Sequence, residues 1–323
     1  MTLIRHNELG ATGAVVSELC LSTLNFGWTI RPEAAWAFLD RFHADGGNFL
    51  LAAGLCPGVT RPLWTEAPEV CVGRWWRSRE LRREELVLAT KLVLSSRGRA
   101  SGEEIEACLD ASLRRLQTDH VDLVVFDPPD SVPAMAKWVE TMAGLVRKGK
   151  VSHVAAGSVP AWHLAALATR ATGLPAWQAL SADYSLLDRS AERLLAGLPA
   201  PLPGFVAQSP LAGGILAGRE ARRPHPEVRR RQEAPAGRGG GEVEEIRSAL
   251  AAVAAECEST LAQVAIAWAL SNPAVSSVLL SALSLNQLTD AIGACTLDLT
   301  WTQLRRLDLA SSLPSGAPAA IVC

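Results

Sequence analysis

Tyrosine is almost absent from this chain: Tyr184 is the one example in 323 residues. Any chemistry that needs a phenol must use that position, or another group must do the work. Closely spaced cysteines are also missing. Cys20, Cys56, Cys71, Cys108, Cys257, Cys295 and Cys323 form no C-x-x-C pair and have no nearby histidine at ligand spacing, so neither a zinc site nor a disulfide framework is expected. Charge of either sign is not in excess. A formal charge of -2 argues against a nucleic-acid or anionic-membrane surface. Finally, there is no run of about 20 apolar residues to span a bilayer. The opening Met1-Thr2-Leu3-Ile4-Arg5-His6 lacks the apolar segment of a signal peptide, so a reduced cytoplasm is the expected setting.

What the chain does contain is core material, with 49% hydrophobic and 20% charged residues. Short β-like runs alternate with longer helical patterns, the order of βα units and a parallel sheet. Leu86 to Thr90, Val121 to Phe126, Val151 to Ala156, Phe205 to Ala207 and Ser276 to Leu280 read as buried strands. Between them, Ile105, Cys108, Leu109, Ser112, Leu113 and Leu116 recur at helical spacing, and Leu261 to Leu270 does the same. About eight such units fit the length, and closing them into a barrel removes the exposed sheet edges. The expectation is a single (β/α)8 TIM barrel over residues 1–323, with its reaction centre where the βα loops converge at the strand C-termini. Arginines, prolines and the Gly239-Gly240-Gly241 run mark 219–242 as a flexible loop.

Ordered motifs then point to a family. Gly47-Asn48-Phe49-Leu50-Leu51-Ala52-Ala53-Gly54-Leu55-Cys56 resembles the aldo-keto reductase signature G-x-N-F-x-D-T-A-x-x-Y-G, and Ser112 to Leu123 resembles S-L-x-R-L-x-x-D-x-x-D-L. Gly149-Lys150-Val151, Tyr184-Ser185-Leu186-Leu187, Ser209-Pro210-Leu211-Ala212-Gly213-Gly214 and Ala262-Gln263-Val264-Ala265 continue the likeness. The resemblance implies a barrel whose members use a tyrosine, lysine, aspartate and histidine to protonate a carbonyl while NADPH delivers hydride. By that comparison Lys91 is retained, whereas Leu51 stands at the aspartate, Cys56 at the tyrosine and Asp127 at the histidine. Ser158 and Gln178 correspond to nicotinamide contacts, Val159 replaces an asparagine, and Gln208 replaces a stacking aromatic ring. Ser209 and Leu211 lie in a turn suited to pyrophosphate, while Leu283 stands where a basic residue is common.

These departures lead to an expectation of redeployment: a non-redox cyclase, dehydratase or isomerase acting without a cofactor on a hydrophobic substrate, with specialised metabolism as its candidate setting. Lys91 and Asp127 are its candidate acid/base pair, and Trp28, Leu51, Cys56, Trp64, Val159 and Gln208 its candidate substrate walls. Ser158, Gln178, Ser209 and Leu211 would be a vestigial cofactor site, and no metal is called for. Two alternatives stand beside it: an NADPH-dependent carbonyl reductase with an unusual proton donor, and a catalytically silent binding or regulatory subunit.

Overall fold

In the computed structural model, residues 3–55, 67–93, 100–127, 132–157, 177–198, 200–218 and 240–312 are described. A hairpin of β1 (His6–Glu8) and β2 (Val15–Ser17) precedes the barrel strands β3 (Leu19–Ser22), β4 (Phe49–Leu55), β5 (Val87–Val93), β6 (Val121–Phe126), β7 (Val151–Gly157), β8 (Ala179–Asp183), β9 (Gly204–Gln208) and β10 (Val275–Leu280). These eight close in sequence order, and β9 pairs with β10, which returns to β3. Every barrel ladder is parallel. Around them pack α1 (Pro32–Ala44), α2 (Pro68–Ser78), α3 (Gly102–Leu116), α4 (Val132–Arg147), α5 (Ser190–Ala196), α6 (Gly240–Glu256), α7 (Leu261–Leu270), α8 (Leu285–Gly293) and α9 (Trp301–Ala310). The architecture is a closed (β/α)8 TIM barrel, as the resemblance implies.

Two-residue alternation along the strands divides their side chains into two apolar layers. Leu21, Leu50, Leu88, Val124, Val154, Leu180, Phe205 and Val278 face the helices. Cys20, Phe49, Ala89, Leu123, Val125, Ala155, Ala179 and Val206 fill the interior. Leu9 and Val16 of the hairpin join that interior cluster, and Ser17 is tied through its N–H to the Asn48 side chain just before β4. The hairpin therefore closes the N-terminal end of the barrel and leaves the C-terminal end as the only mouth that the described strands offer.

Local sequence sets the helix boundaries. Ser101 caps α3 by accepting from the Glu104 N–H at 3.2 Å, while Glu104 accepts from the Ser101 N–H at 2.7 Å. Thr260 with Gln263 and Thr300 with Gln303 repeat this capping box on α7 and α9. The apolar face of α3 buries Ile105, Leu109, Leu113 and Leu116, each contributing about 1.5–3 kcal/mol by leaving water. The expected flexible segment 219–242 is corrected at its far end: residues 219–239 lie outside the described set, but Gly240 to Glu242 already belong to α6. Val243, Ile246 and Leu250 recur at helical spacing there and dock on the core, and that packing outweighs the glycines. Among the described residues no single helix is long and apolar enough to cross a membrane.

Candidate active site

Stepping two residues further along each strand from the apolar interior layer reaches the mouth. From Ala89, Val125, Ala155, Ala179 and Val206 the steps arrive at Lys91, Asp127, Gly157, Ser181 and Gln208. A dry aliphatic layer thus gives way to polar groups in one step, at the end where the loops converge. Leu51, two positions after Phe49, joins the interior cluster at its upper edge. Such a floor of apolar side chains under a few convergent polar groups is the usual make-up of a small-molecule site.

Lys91 and Asp127, paired from sequence alone, are brought together. Lys91 Nζ lies 2.9 Å from Asp127 Oδ1, with the lysine side chain 30% exposed and the carboxylate 60% exposed. Both strand ends are pinned from behind. Thr90, facing the helices beside Lys91, donates to Glu69 Oε1 at 2.6 Å, and Arg115 Nε donates to Glu69 Oε2 at 2.7 Å. Phe126, beside Asp127, stacks on Trp138 with centroids 3.6 Å apart. These contacts fix the two backbones, so the ion pair is held by its scaffold as well as by its charges.

On the far side, Gln208 Nε2 donates to Ser181 Oγ at 2.6 Å. The chain then turns sharply, with Ser209 at φ +52, Ala212 at φ +47, Gly213 at φ +68 and Gly214 at φ +101. Among the described residues the Ser209 and Leu211 N–H groups meet no acceptor, although both residues are half-buried. Left-handed backbone at non-glycine positions is costly and concentrates at ligand sites. Pro210, between Ser209 and Leu211, has no N–H, so the two donors stand two residues apart.

Gln178 does not join this mouth. It precedes β8, and its Oε1 accepts the Val154 N–H at 2.9 Å, so it serves the β7–β8 ladder while Ser181 takes the inward position. Trp28 is half-buried in the β3–α1 connection, with its N–H on the Asn25 carbonyl at 3.2 Å. Cys56, Trp64, Ser158 and Val159 lie outside the described residues. Sequence reading missed Gly157 and Ser181, although counting inward positions from buried Ala155 and Ala179 would have found both.

The sole tyrosine is in the wrong place to donate a proton at the mouth. Tyr184 points into the helical layer, stacks on Trp268 and meets Phe205 edge-on. Its hydroxyl donates to Glu192 Oε1 at 2.8 Å and accepts from Asn272 Nδ2 at 2.9 Å. Burial holds its phenol well above the usual tyrosine range.

A parallel eight-stranded barrel with a lysine–carboxylate pair at its C-terminal mouth defines a class of barrel enzymes built for small-molecule chemistry. Within that class, the model of the aldo/keto reductase family matches residues 18–311, and the chain belongs to this family. It is 31% identical to an uncharacterized oxidoreductase, YrpG, of Bacillus subtilis over 94% of this chain and 95% of that protein. It is 34% identical to the norsolorinic acid reductase stcV of Emericella nidulans over 47% of this chain and 42% of that protein. A putative aryl-alcohol dehydrogenase, AAD3, of Saccharomyces cerevisiae is 28% identical over 58% of this chain and 56% of that protein. The chain thus spans about half the length of the two relatives whose names specify a substrate. These findings overturn two expectations. Membership of a reductase family and relatives named as oxidoreductases contradict the non-redox cyclase, dehydratase or isomerase reading. They equally contradict the expectation that no cofactor is used, and point to NADPH. The physical reason is that single substitutions leave the scaffold intact, with its retained Lys91 and a polar layer at the mouth.

Proposed function

We propose that this protein is an NADPH-dependent oxidoreductase that interconverts a carbonyl and an alcohol on a small, apolar substrate, with Lys91 and Asp127 handling the proton. The observation that carries the reading is the 2.9 Å Lys91–Asp127 pair in the polar layer of the mouth. The cofactor suits the residues present: Ser209 and Leu211 offer backbone N–H groups to a pyrophosphate, and Gln208, held on Ser181, stands beside them with its carbonyl oxygen able to accept from an amide or hydroxyl. When bound, the cofactor supplies or accepts the hydride.

The remaining work falls to this chain. As a carbonyl is reduced, charge grows on its oxygen, and the Lys91 ammonium is positioned to stabilise that charge and to donate an N–H. Asp127, the more exposed partner, relays a proton from solvent to replace it. In the reverse direction the alcohol proton leaves by the same two groups. Leu51 and Trp28 are proposed walls for an apolar ring, in keeping with the aryl-alcohol and norsolorinic acid chemistry in the relatives' names.

The test is NADPH consumption with a panel of aryl aldehydes by the parent chain, Lys91→Met and Asp127→Asn. Loss of one positioned proton-transfer group is expected to lower kcat by about 10²–10⁴-fold, with calorimetric NADPH affinity retained in both variants. Parent-level turnover in both would eliminate the pair as the proton route. Absence of NADPH binding to the parent chain would eliminate the redox reading itself.

A further inference from the structure

We propose that Gly157 is a positioning residue for Asp127: its missing side chain is the notch that the aspartate carboxylate occupies while bonded to Lys91. The inference rests on the role given to Asp127 above and deepens it. Gly157 ends β7, inward-facing and next to the end of β6, where Phe126 is in register with Ala156. A Cβ built there would lie 2.7 Å from Asp127 Oδ1, 3.2 Å from the Phe126 carbonyl oxygen and 3.5 Å from Val125 Cγ1. The first distance is closer than a real Cβ tolerates, and it involves the same oxygen that meets Lys91 Nζ at 2.9 Å.

Backbone freedom does not explain this glycine, because Gly157 is not among the residues with positive φ. Strand propensity opposes it, since a β-strand favours branched side chains and glycine weakens it. What remains is close approach by another group, and the group that approaches is the Asp127 carboxylate. Asp127 is boxed on one side by the lysine of β5 and on the other by the void at β7. Its carboxylate is the far end of a short, largely exposed side chain, so an added methyl would be relieved by swinging it away from Lys91, at little cost to the fold.

The experiment compares Gly157→Ala, Asp127→Ala and the double variant, assayed by NADPH consumption with an electron-poor aryl aldehyde. The crystal structure of Gly157→Ala provides a readout independent of activity. Displacement by about 1 Å can cost on the order of a hundredfold, so Gly157→Ala is expected to lower kcat at least about tenfold with KM within about threefold. In the Asp127→Ala background the same change should alter kcat by less than about twofold, because coupled residues depart from additivity. The crystal structure should show the pair separated beyond about 4 Å. An intact pair in that structure, or an equal kcat loss in both backgrounds, overturns the proposal. Should Gly157→Ala fail to fold, the double variant decides: folding with the thermal midpoint of Asp127→Ala supports the notch, and failure to fold overturns it. If Asp127→Ala alone keeps full activity, the proton-transfer reading falls, and the crystal structure alone decides whether Gly157 positions the carboxylate.

Discussion

At the scale of single residues, the most consequential side chain away from the mouth is Glu69. It is fully buried, yet it is an acid, and its two oxygens are divided between Thr90 of β5 and Arg115 of α3. A buried carboxylate is tolerated only when hydrogen-bonded and paired. Here the pairing also fastens the residue adjacent to Lys91. Glu69→Gln removes the charge and leaves Arg115 opposed to an amide. Breaking a buried pair costs about 3–5 kcal/mol, and because Arg115 is 23% exposed and keeps some hydration, the lower end of that range is expected. Urea unfolding would measure it. A change below about 0.5 kcal/mol would mean that the network is dispensable.

At the scale of elements, the segment after β9 concentrates left-handed backbone. The 3₁₀ turn at Ala212–Ala217 contains a kink at Gly213 and Gly214, and it begins with Ala212 at φ +47. Left-handed backbone costs an L-residue roughly 1–2 kcal/mol relative to glycine. Ala212→Gly is therefore expected to stabilise the folded protein, by up to about 1 kcal/mol after the greater freedom of glycine in the unfolded chain is counted. Differential scanning calorimetry with and without NADPH checks both sides of this account. A lower midpoint in the variant would show that the Ala212 methyl makes contacts worth more than the strain. The turn itself is legible in the sequence: Ser209-Pro210-Leu211 and Gly213-Gly214 are residue types whose backbone preferences announce a turn without tertiary information. Gln178 illustrates the reverse, because a motif match placed it in the cofactor site whereas strand register gave it a ladder bond at the start of β8.

At the scale of the whole molecule, Tyr184 joins β8, α5 and α7 through Glu192, Asn272 and Trp268. Its single occurrence makes it a clean reporter of global packing. The unfolded state ionises its phenol near pH 10, while the folded state keeps it protonated to higher pH because burial disfavours the phenolate. The folded protein then binds more protons than the unfolded one above about pH 10, so stability falls as pH rises through that region. Ultraviolet titration should show no phenolate signal in native protein at about pH 10.5, and roughly three-quarters of the full signal on denaturation at that pH. A phenolate appearing at the ordinary tyrosine pH with near-ultraviolet circular dichroism intact would place Tyr184 in contact with water.

The sequence by itself determined the barrel. Short apolar runs such as Val121 to Phe126, capped amphipathic helices such as Gly102 to Leu116 and ordered family motifs are local or collinear signals, and burial needs only to satisfy them. It also supplied Lys91 and Asp127 as a pair, because both lie at strand ends in adjacent βα units. Only the tertiary structure decided what surrounds them. That Gly157 leaves room for a carboxylate, that Ser181 rather than Gln178 meets Gln208, and that Glu69 anchors the strand of Lys91 all depend on register between strands distant in sequence. The hydrogen bonds of the ladders fix that register to within one residue, and a one-residue difference turns a side chain from the mouth to the helical layer.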